Sequence, residues 1–560
     1  MVLFQSRRSA VFARHGMVAS SQSLASSHGL QILREGGNAV DAAIAMAATL
    51  NVTEPCSTGL GGDCFLLFYE AATKKVFALN GSGRSPAKLT LDRAKSESAP
   101  EATALDPSSV HCVTVPGTAA GWDDAVKRWG TMPLAKVLEP AAALAEEGFP
   151  VAGITALEWE RQSVQLRPES TRCEMLVQDE SGSGGARAPR AGEIFRNPGL
   201  ARTLRELGAG GKDAFYKGRA GEAICRILNE MGSTMEQDDL AAHVSTFPEP
   251  IHVRYGDMDV IEVPPSGQGI AALMGLNLLA AAKRQSKGLD PETMAHGSKE
   301  HLHLLVECMR FAFADARQFV ADPDVVDVPI QGLIDSSYAD IQIKNFREDR
   351  AVADVKYGTP MAGSDTVSFQ VIDGAGNAVS MVNSNYEGFG SGIVPKGCGF
   401  TLQNRGANFS LVSDHLNVVA PRKRPYHTII PALALHHDTQ ELYCSFTNMG
   451  GFAQAPAHVQ LMVNMLDYKL DPQTAIDMPR FVICAGEANG EVAFEDGFSP
   501  EVIATLEKMG HRVLKPNGKC TVTGLDRLLF GRAQIITRDR KTGVLCGGSD
   551  GRADGLAIGY

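Results

Sequence analysis

Thr366 opens the run "TVSFQVI", in which Val367, Phe369 and Val371 alternate with Ser368 and Gln370, the period of a half-buried strand. The turn residues Asp373, Gly374, Ala375, Gly376 and Asn377 follow, and alternation resumes over Ala378 to Val382, so 363–385 reads as a β-hairpin. A threonine hydroxyl is a weak nucleophile unless a base stands beside it. If the chain is cut just before Thr366, the freed α-amine becomes that base, held next to the hydroxyl by covalent geometry. Its ordinary pKa of about 7.7–8.0 suits proton transfer near neutrality. A rigid strand starting at this residue would fix the hydroxyl in space. The same pattern also describes a plain threonine at a strand start.

Other candidates are weaker. "GGSDG" at 547–551 fits the Gly-x-Ser-x-Gly elbow, but that motif needs a helix after it and a histidine further on. Only nine residues follow Gly551 and none is histidine, so the segment reads as a turn. No His-Glu-x-x-His occurs, and His301 and His303 are poorly spaced to share one helix face, so no metal site is expected. "GLGGDCFLLFY" is a glycine loop feeding an apolar strand; without Gly-Lys-Ser/Thr it is no phosphate loop. No cofactor motif is present.

The elements that must position Thr366 divide unevenly along the chain. The first third is helix-rich. "HGLQILREGG" ends in glycines suited to a helix C-terminus, and Asn38 is placed to cap "AVDAAIAMAATL". Further helices are predicted at "LAKVLEPAAALAEEG", "GLARTLRELG", "GRAGEAICRILNEMG" and "KEHLHLLVECMRFAFADARQF". Strands are predicted at 367–372, 378–384, 428–436, 441–447 and 532–538, with helices returning at 457–468 and 500–509. The low-complexity stretch 179–192 reads as a surface loop. Helix-rich and strand-rich regions in this order suit packed sheets covered by helices, an α+β assembly.

Composition narrows the function classes. The chain has 560 residues, 44% apolar and 21% charged, and a net charge of −11 with no basic run, which argues against a nucleic-acid partner. Eleven scattered cysteines without a CxxC pair suggest neither a zinc site nor a disulfide framework, and favour a reduced, cytoplasmic compartment. The first twenty residues have no apolar core of signal-peptide length, although their basic residues leave an organelle transit sequence open. The longest apolar stretch, near Ala271 to Ala282, is too short to span a bilayer, so no membrane association is expected.

A series of blocks, in order, resembles the gamma-glutamyltransferase family of N-terminal nucleophile hydrolases. They include "RHGMVASSQSLASSHGLQILREGGNAVDAAIA", "TVPGTAAGWDDAVKRWGTMPLAKVLEPAAALAEEGFPV", "DAFYKGRAGEAI", "VPPSGQG", "DTVSFQVIDGAGNAVS", "FGSGIVPKGCGFTLQNRGANFS", "RKRPYHTIIPAL", "NMGG" and "GGSDGRADGLAIGY". The resemblance implies an αββα sandwich made as a proenzyme that cleaves itself between Asp365 and Thr366. It implies a large subunit, 1–365, and a small one, 366–560, intertwined as a heterodimer, with a dimer of these left open. It makes Thr366 the nucleophile, sets Ser384 where a family threonine bonds that nucleophile, and makes Gly450 and Gly451 the oxyanion pair. Backbone N–H groups free of side chains can meet a developing oxyanion there.

The substrate grip departs from the family. Where family transferases hold the glutamate α-amino and α-carboxylate groups with Asn, Gln, Asp and two serines, this chain carries Tyr386, Arg405, Asn408, His427 and Thr428. The family's large-subunit arginine is met only by Arg84, two positions late, which either reaches the same carboxylate or decorates a turn. Asn for Asp and Arg for Gln take away an ammonium's counter-ion and give a carboxylate a planar, bidentate partner. The segment from Phe409 to His427 is short for a closing lid, which leaves the cleft open to longer substrates. The expected activity is therefore hydrolysis or transfer on gamma-glutamyl amides, with water or an amine as acceptor. Amides of other carboxylate-tailed acyl groups, glutaryl or poly-gamma-glutamate, are the alternative, and an unprocessed non-catalytic scaffold is the non-enzyme reading.

Overall fold

The hairpin forms as the alternation predicts, and in the computed structural model, which describes residues 8–178, 185–285, 294–355 and 365–560, it is the centre of a sheet. Asp373 shapes the turn: its Oδ1 accepts from the N–H groups of Ala375 and Asn377 at 2.9 and 3.0 Å. Its Oδ2 accepts the N–H of Ala39 at 3.0 Å, tying the turn to the start of helix Ala39–Thr53. The arms are strands Asp365–Ile372 and Ala378–Tyr386, paired with Phe369 opposite Met381 and Val371 opposite Val379.

Four more strands complete an antiparallel six-stranded sheet, in the order Leu556–Gly559, Met17–Ser20, Asp365–Ile372, Ala378–Tyr386, Asp63–Glu70, Lys75–Gly81. A second, seven-stranded antiparallel sheet runs Val11–Ala13, Leu545–Ser549, Ala533–Arg538, Leu442–Asn448, Ala432–His436, Met258–Glu262, Ile251–Tyr255. Phe65, Leu67, Val382, Ile429, Leu433 and Ile536 pack between the sheets. Val367, Phe369 and Val371 face outward under helices that include Ala39–Thr53, while the far face of the second sheet lies under helices Gly269–Arg284, Lys299–Phe319 and Gln454–Leu466. The layers are helix, sheet, sheet, helix. Both sheets combine strands from before and after residue 365, and the end of the chain pairs with its beginning, Leu556 opposite Ser20.

Local signals explain the covering helices. Helix Ala39–Thr53 starts with a reciprocal cap between Asn38 and Asp41. All fifteen of its residues are buried, and six alanines let it lie close on the sheet. Helix Ser23–Arg34 stops at Gly36, whose φ of 92° is costly for any residue with a Cβ.

Two expectations change. The strand is buried on both faces over 366–372, not one: Ser368 Oγ donates to Arg532 O at 3.4 Å and Ser445 Oγ bonds Gln370 Oε1, so the polar face is satisfied by the second sheet. The strand expected from 428 starts at Ala432, because side chains replace the ladder before it. The Ile430 N–H donates to Gln454 Oε1 at 3.0 Å and its carbonyl accepts from Thr447 Oγ1 at 2.8 Å. Residues 179–184 of the low-complexity stretch and the first seven residues lie outside the described residues. All eleven cysteines are free thiols, and no helix among the described residues is long and apolar enough to cross a membrane.

Candidate active site

At Thr366 the pairing of the two arms slips. Asp365 stands opposite Tyr386 while Val367 stands opposite Asn383, so one extra residue is accommodated on the strand facing Thr366. Such a bulge re-aims side chains. Here it turns the Ser384 hydroxyl onto the Thr366 hydroxyl, Oγ to Oγ1 at 2.9 Å, with both residues fully buried. The glycine loop supports this approach from behind: a Cβ on Gly62 would lie 2.4 Å from the Ser384 carbonyl oxygen.

Ser384 Oγ also accepts the N–H of Tyr386 at 2.9 Å and Arg405 Nη2 at 3.1 Å. Arg405 is fully buried. Its Nη1 donates to Thr428 Oγ1 at 2.6 Å, and its guanidinium carbon lies 4.4 Å from the centre of the Tyr386 ring. The Tyr386 hydroxyl in turn donates to Asn408 Oδ1 at 2.8 Å. Among the described residues the guanidinium's side-chain partners are two hydroxyls and a ring, not a carboxylate, and its Nε is unpartnered. Burial pulls its pKa down to about 10. A buried cation so placed favours an anionic group brought in from outside.

The acids within electrostatic reach are Asp63, opposite Ser384 on the neighbouring strand, and Glu387. Burial pushes the Asp63 carboxyl up to about 7, against the pull of Arg405 and of the Gly83 and Gly117 N–H groups at 3.0 and 3.2 Å. His427 Nε2 lies 3.1 Å from Asp63 Oδ2, and its Nδ1 accepts the Ile429 N–H at 3.3 Å. Burial, reinforced by Arg405, holds His427 well below its ordinary pKa, so it is neutral with its proton on Nε2 facing Asp63.

Gly450 and Gly451 form a turn with φ of 115° and 54°, and a Cβ on Gly450 would meet the Gly531 Cα at 2.9 Å. Among the described residues neither N–H of the pair donates a hydrogen bond. Gln268 links this turn to the Arg405 group, since its Nε2 donates to Thr428 O at 2.7 Å and to Gly451 O at 2.8 Å. Gln268 lies in "VPPSGQG", a block whose spacing gave no hint of that bridging role. Thr366, Ser384, Tyr386, Arg405, Asn408, Thr428, His427 and the glycine pair are thus joined through direct contacts, Asp63 and Gln268. Arg84 stands apart, with its guanidinium bound to Asp324 at 2.6 Å.

Sequence reasoning missed the support behind the glycines. Arg480 Nη1 donates to Asn448 Oδ1 at 2.7 Å, two residues before Gly450, and Arg480 Nη2 pairs with Asp550 at 2.5 Å. Asp550 also holds Arg552, which pairs with Glu495. The "GGSDG" segment, expected as a turn, instead carries Gly547 to Ser549 in strand Leu545–Ser549, with the turn only after it, and its aspartate anchors this network. A second missed cluster joins His303 Nδ1 to His511 Nε2 at 2.7 Å, with Glu307 one helical turn on. The three offer donor atoms within 4.8 Å of one another, but Glu307 is bound to Arg310 at 2.5 Å and His303 Nε2 to the Arg347 carbonyl at 2.6 Å. The guanidinium supplies the positive charge there, so the group reads as a polar clasp between helix Lys299–Phe319 and its neighbours.

The chain is 36% identical over 545 residues to the glutathione hydrolase-like YwrD proenzyme of Bacillus subtilis, covering 97% of this chain and 98% of that one. It is 32% identical over 559 residues to the oxamate amidohydrolase proenzyme of Klebsiella pneumoniae, covering 98% of each. The solved structure of a cephalosporin acylase from Bacillus halodurans superposes with a TM-score of 0.88 at 37% identity, over 100% of this chain and 98% of that one. The family model for gamma-glutamyltranspeptidase matches residues 25–560, and the chain belongs to that family.

Proposed function

We propose that this chain is a proenzyme that cuts itself before Thr366 and then hydrolyses or transfers the acyl group of gamma-glutamyl amides and related amides whose acyl part carries a carboxylate. The observation that carries the reading is the buried contact of Thr366 with Ser384, on which Arg405 also rests. In the first step the Thr366 hydroxyl adds to the Asp365 carbonyl, the C–N bond breaks as the amine takes a proton, and an ester remains. Water cleaves that ester, leaving an α-carboxylate on residue 365 and a free α-amine on Thr366. The fragments 1–365 and 366–560 stay together because both sheets are built from strands of each.

In turnover the α-amine takes the hydroxyl proton as the oxygen attacks the substrate carbonyl, and returns it to the leaving nitrogen. Ser384 donates to the Thr366 oxygen, and the Gly450 and Gly451 N–H groups receive the oxyanion. Water then attacks the acyl-enzyme and releases the acid, or an amine takes its place. Arg405 favours, as a second reading, acyl groups with a carboxylate and no ammonium, such as glutaryl. Two relatives named as proenzymes, one of them an amidohydrolase of oxamate, are consistent with both readings.

N-terminal sequencing of the purified protein tests processing, with Thr366 expected as the first residue of the smaller fragment. A Thr366→Ala chain should stay whole and inactive; maturation of that variant, or activity in an uncut chain, would refute the scheme. Gamma-glutamyl and glutaryl anilides separate the two substrate readings.

A further inference from the structure

Two buried ionisable side chains behind the glycine turn take no part in the scheme above. Glu262 ends strand Met258–Glu262, in the large fragment, and His458 lies on helix Gln454–Leu466, in the small one; both are fully buried. His458 Nδ1 lies 2.7 Å from Glu262 Oε1, and the Asn448 N–H donates to His458 Nε2 at 3.3 Å. Asn448 is the last residue of strand Leu442–Asn448, two before Gly450, and the helix begins three residues after Gly451. His458 therefore braces the loop that carries the glycine pair, tying the strand that enters it to the helix that leaves it.

A backbone N–H can only donate, so Nε2 offers its lone pair and the neutral ring's one proton sits on Nδ1, where Glu262 Oε1 accepts it. Burial pulls the imidazole down to about 3 and keeps it neutral. Thr447 Oγ1, 3.2 Å from Nε2, spends its own hydrogen on the Ile430 carbonyl at 2.8 Å. Burial also raises the Glu262 pKa well above its ordinary value, and among the described residues its Oε2 has no hydrogen-bond partner. Oε1 accepts from Nδ1 whichever charge the carboxyl carries. Gly269 keeps room for this carboxyl, since a Cβ there would lie 2.8 Å from Oε2. Six residues past Glu262, Gln268 holds the Gly451 carbonyl at 2.8 Å. The segment 262–268 of the large fragment thus grips the turn from both sides, once through His458 and once directly.

We infer that Glu262 and His458 are positioning residues for the oxyanion site: Glu262 fixes the His458 tautomer, and His458 holds the strand end from which the Gly450 and Gly451 N–H groups are presented. The inference rests on the reading of those glycines as oxyanion donors and deepens it. Such donors act only once negative charge develops on the substrate oxygen. Releasing the brace therefore lowers kcat and spares ground-state binding.

The test replaces each partner twice. His458→Phe keeps a ring and removes the acceptor, whereas His458→Gln returns an oxygen that can accept. Glu262→Leu removes the carboxyl, whereas Glu262→Gln keeps an oxygen for Nδ1. With kcat counted per exposed Thr366 N-terminus, on whichever of the gamma-glutamyl and glutaryl anilides is turned over, His458→Phe and Glu262→Leu are expected to lower kcat by about 10–10²-fold and to move KM by less than about twofold. Gln at either position is expected to recover most of that loss. Unchanged kcat, a change in KM as large as that in kcat, or Gln variants no better than Phe and Leu would overturn the inference and leave Thr366 as nucleophile. Hydrogen exchange gives a readout without turnover. Followed by mass spectrometry on peptides covering 446–453, it should speed up in His458→Phe and return towards wild type in His458→Gln. Identical exchange in the three proteins overturns the brace. If neither anilide is turned over, the functional reading fails and exchange alone decides whether His458 holds the turn.

Discussion

The Asp550 carboxylate holds the Arg480 guanidinium at 2.5 Å, and Arg480 reaches on to Asn448, just before the Gly450 turn. Both charges are fully buried, and the pair is further bonded by the Ala533 N–H and the Ile476 carbonyl. Burial and N–H donors of this kind make such a pair costly to break from one side, by about 3–5 kcal/mol. Asp550→Asn should therefore lower Tm strongly and loosen the glycine turn. Thermal melts, with kcat measured on whatever protein folds, check this; an unchanged Tm would remove the anchor from the account.

Ser384 touches both Thr366 and Arg405. Ser384→Ala leaves two N–H donors facing a methyl group and takes away the hydroxyl partner of Thr366. Self-cleavage and turnover should both slow by about 10–10³-fold, the range for losing one donor at a developing charge. Ser384→Thr restores the hydroxyl and should recover most of the rate. A gel time course from freshly made precursor, followed by steady-state kinetics, reads both effects.

Under the proposed function, Arg405 and Asn408 together set the sign of charge that the acyl pocket accepts. The double change Arg405→Gln with Asn408→Asp removes one positive charge and adds one negative charge beside Tyr386. An ammonium then gains a counter-ion and a carboxylate loses its guanidinium. The ratio of kcat/KM for gamma-glutamyl over glutaryl anilide should rise by about 10²-fold, as close buried charge pairs of a few kcal/mol require. A ratio that stays level would mean that neither residue reads the acyl group.

Asp63 links stability to pH. Its carboxyl is held up at about 7 in the folded chain, mainly by burial, against about 4 when unfolded. Between these values the folded state binds the extra proton, so this group's contribution is full below about pH 4 and lost as pH rises through about 7. Asp63→Asn abolishes that loss. The Tm of the variant relative to wild type should climb from pH 4 to pH 7.5, because the opposite slope from neutral His427 is present in both proteins and cancels. Differential scanning calorimetry at a series of pH values reads the difference. A flat difference would show Asp63 ionised throughout.

Much of the fold was legible because local rules and tertiary demands agree. The Asn38 cap, the Gly36 stop and the Asp373 turn are satisfied by residues within a few positions, so spacing alone carries them. The missed parts are long-range. Arg480 meets Asp550 across 70 residues and His303 meets His511 across 208, and no periodicity records such pairs. The strand expected from 428 starts only at Ala432 for the same reason, since Gln454 and Thr447 satisfy the Ile430 backbone in place of a neighbouring strand.

By itself the sequence determined the hairpin, the helical covers and the order of blocks that marks the family, because each is written in neighbouring residues. Folding alone decided that Arg84 pairs with Asp324 while Arg405 comes to rest on Ser384. It also decided that Asp63 is buried beside His427, with its charge suppressed. A side chain's partners and pKa depend on what surrounds it in three dimensions, and those surroundings are assembled from strands hundreds of residues apart.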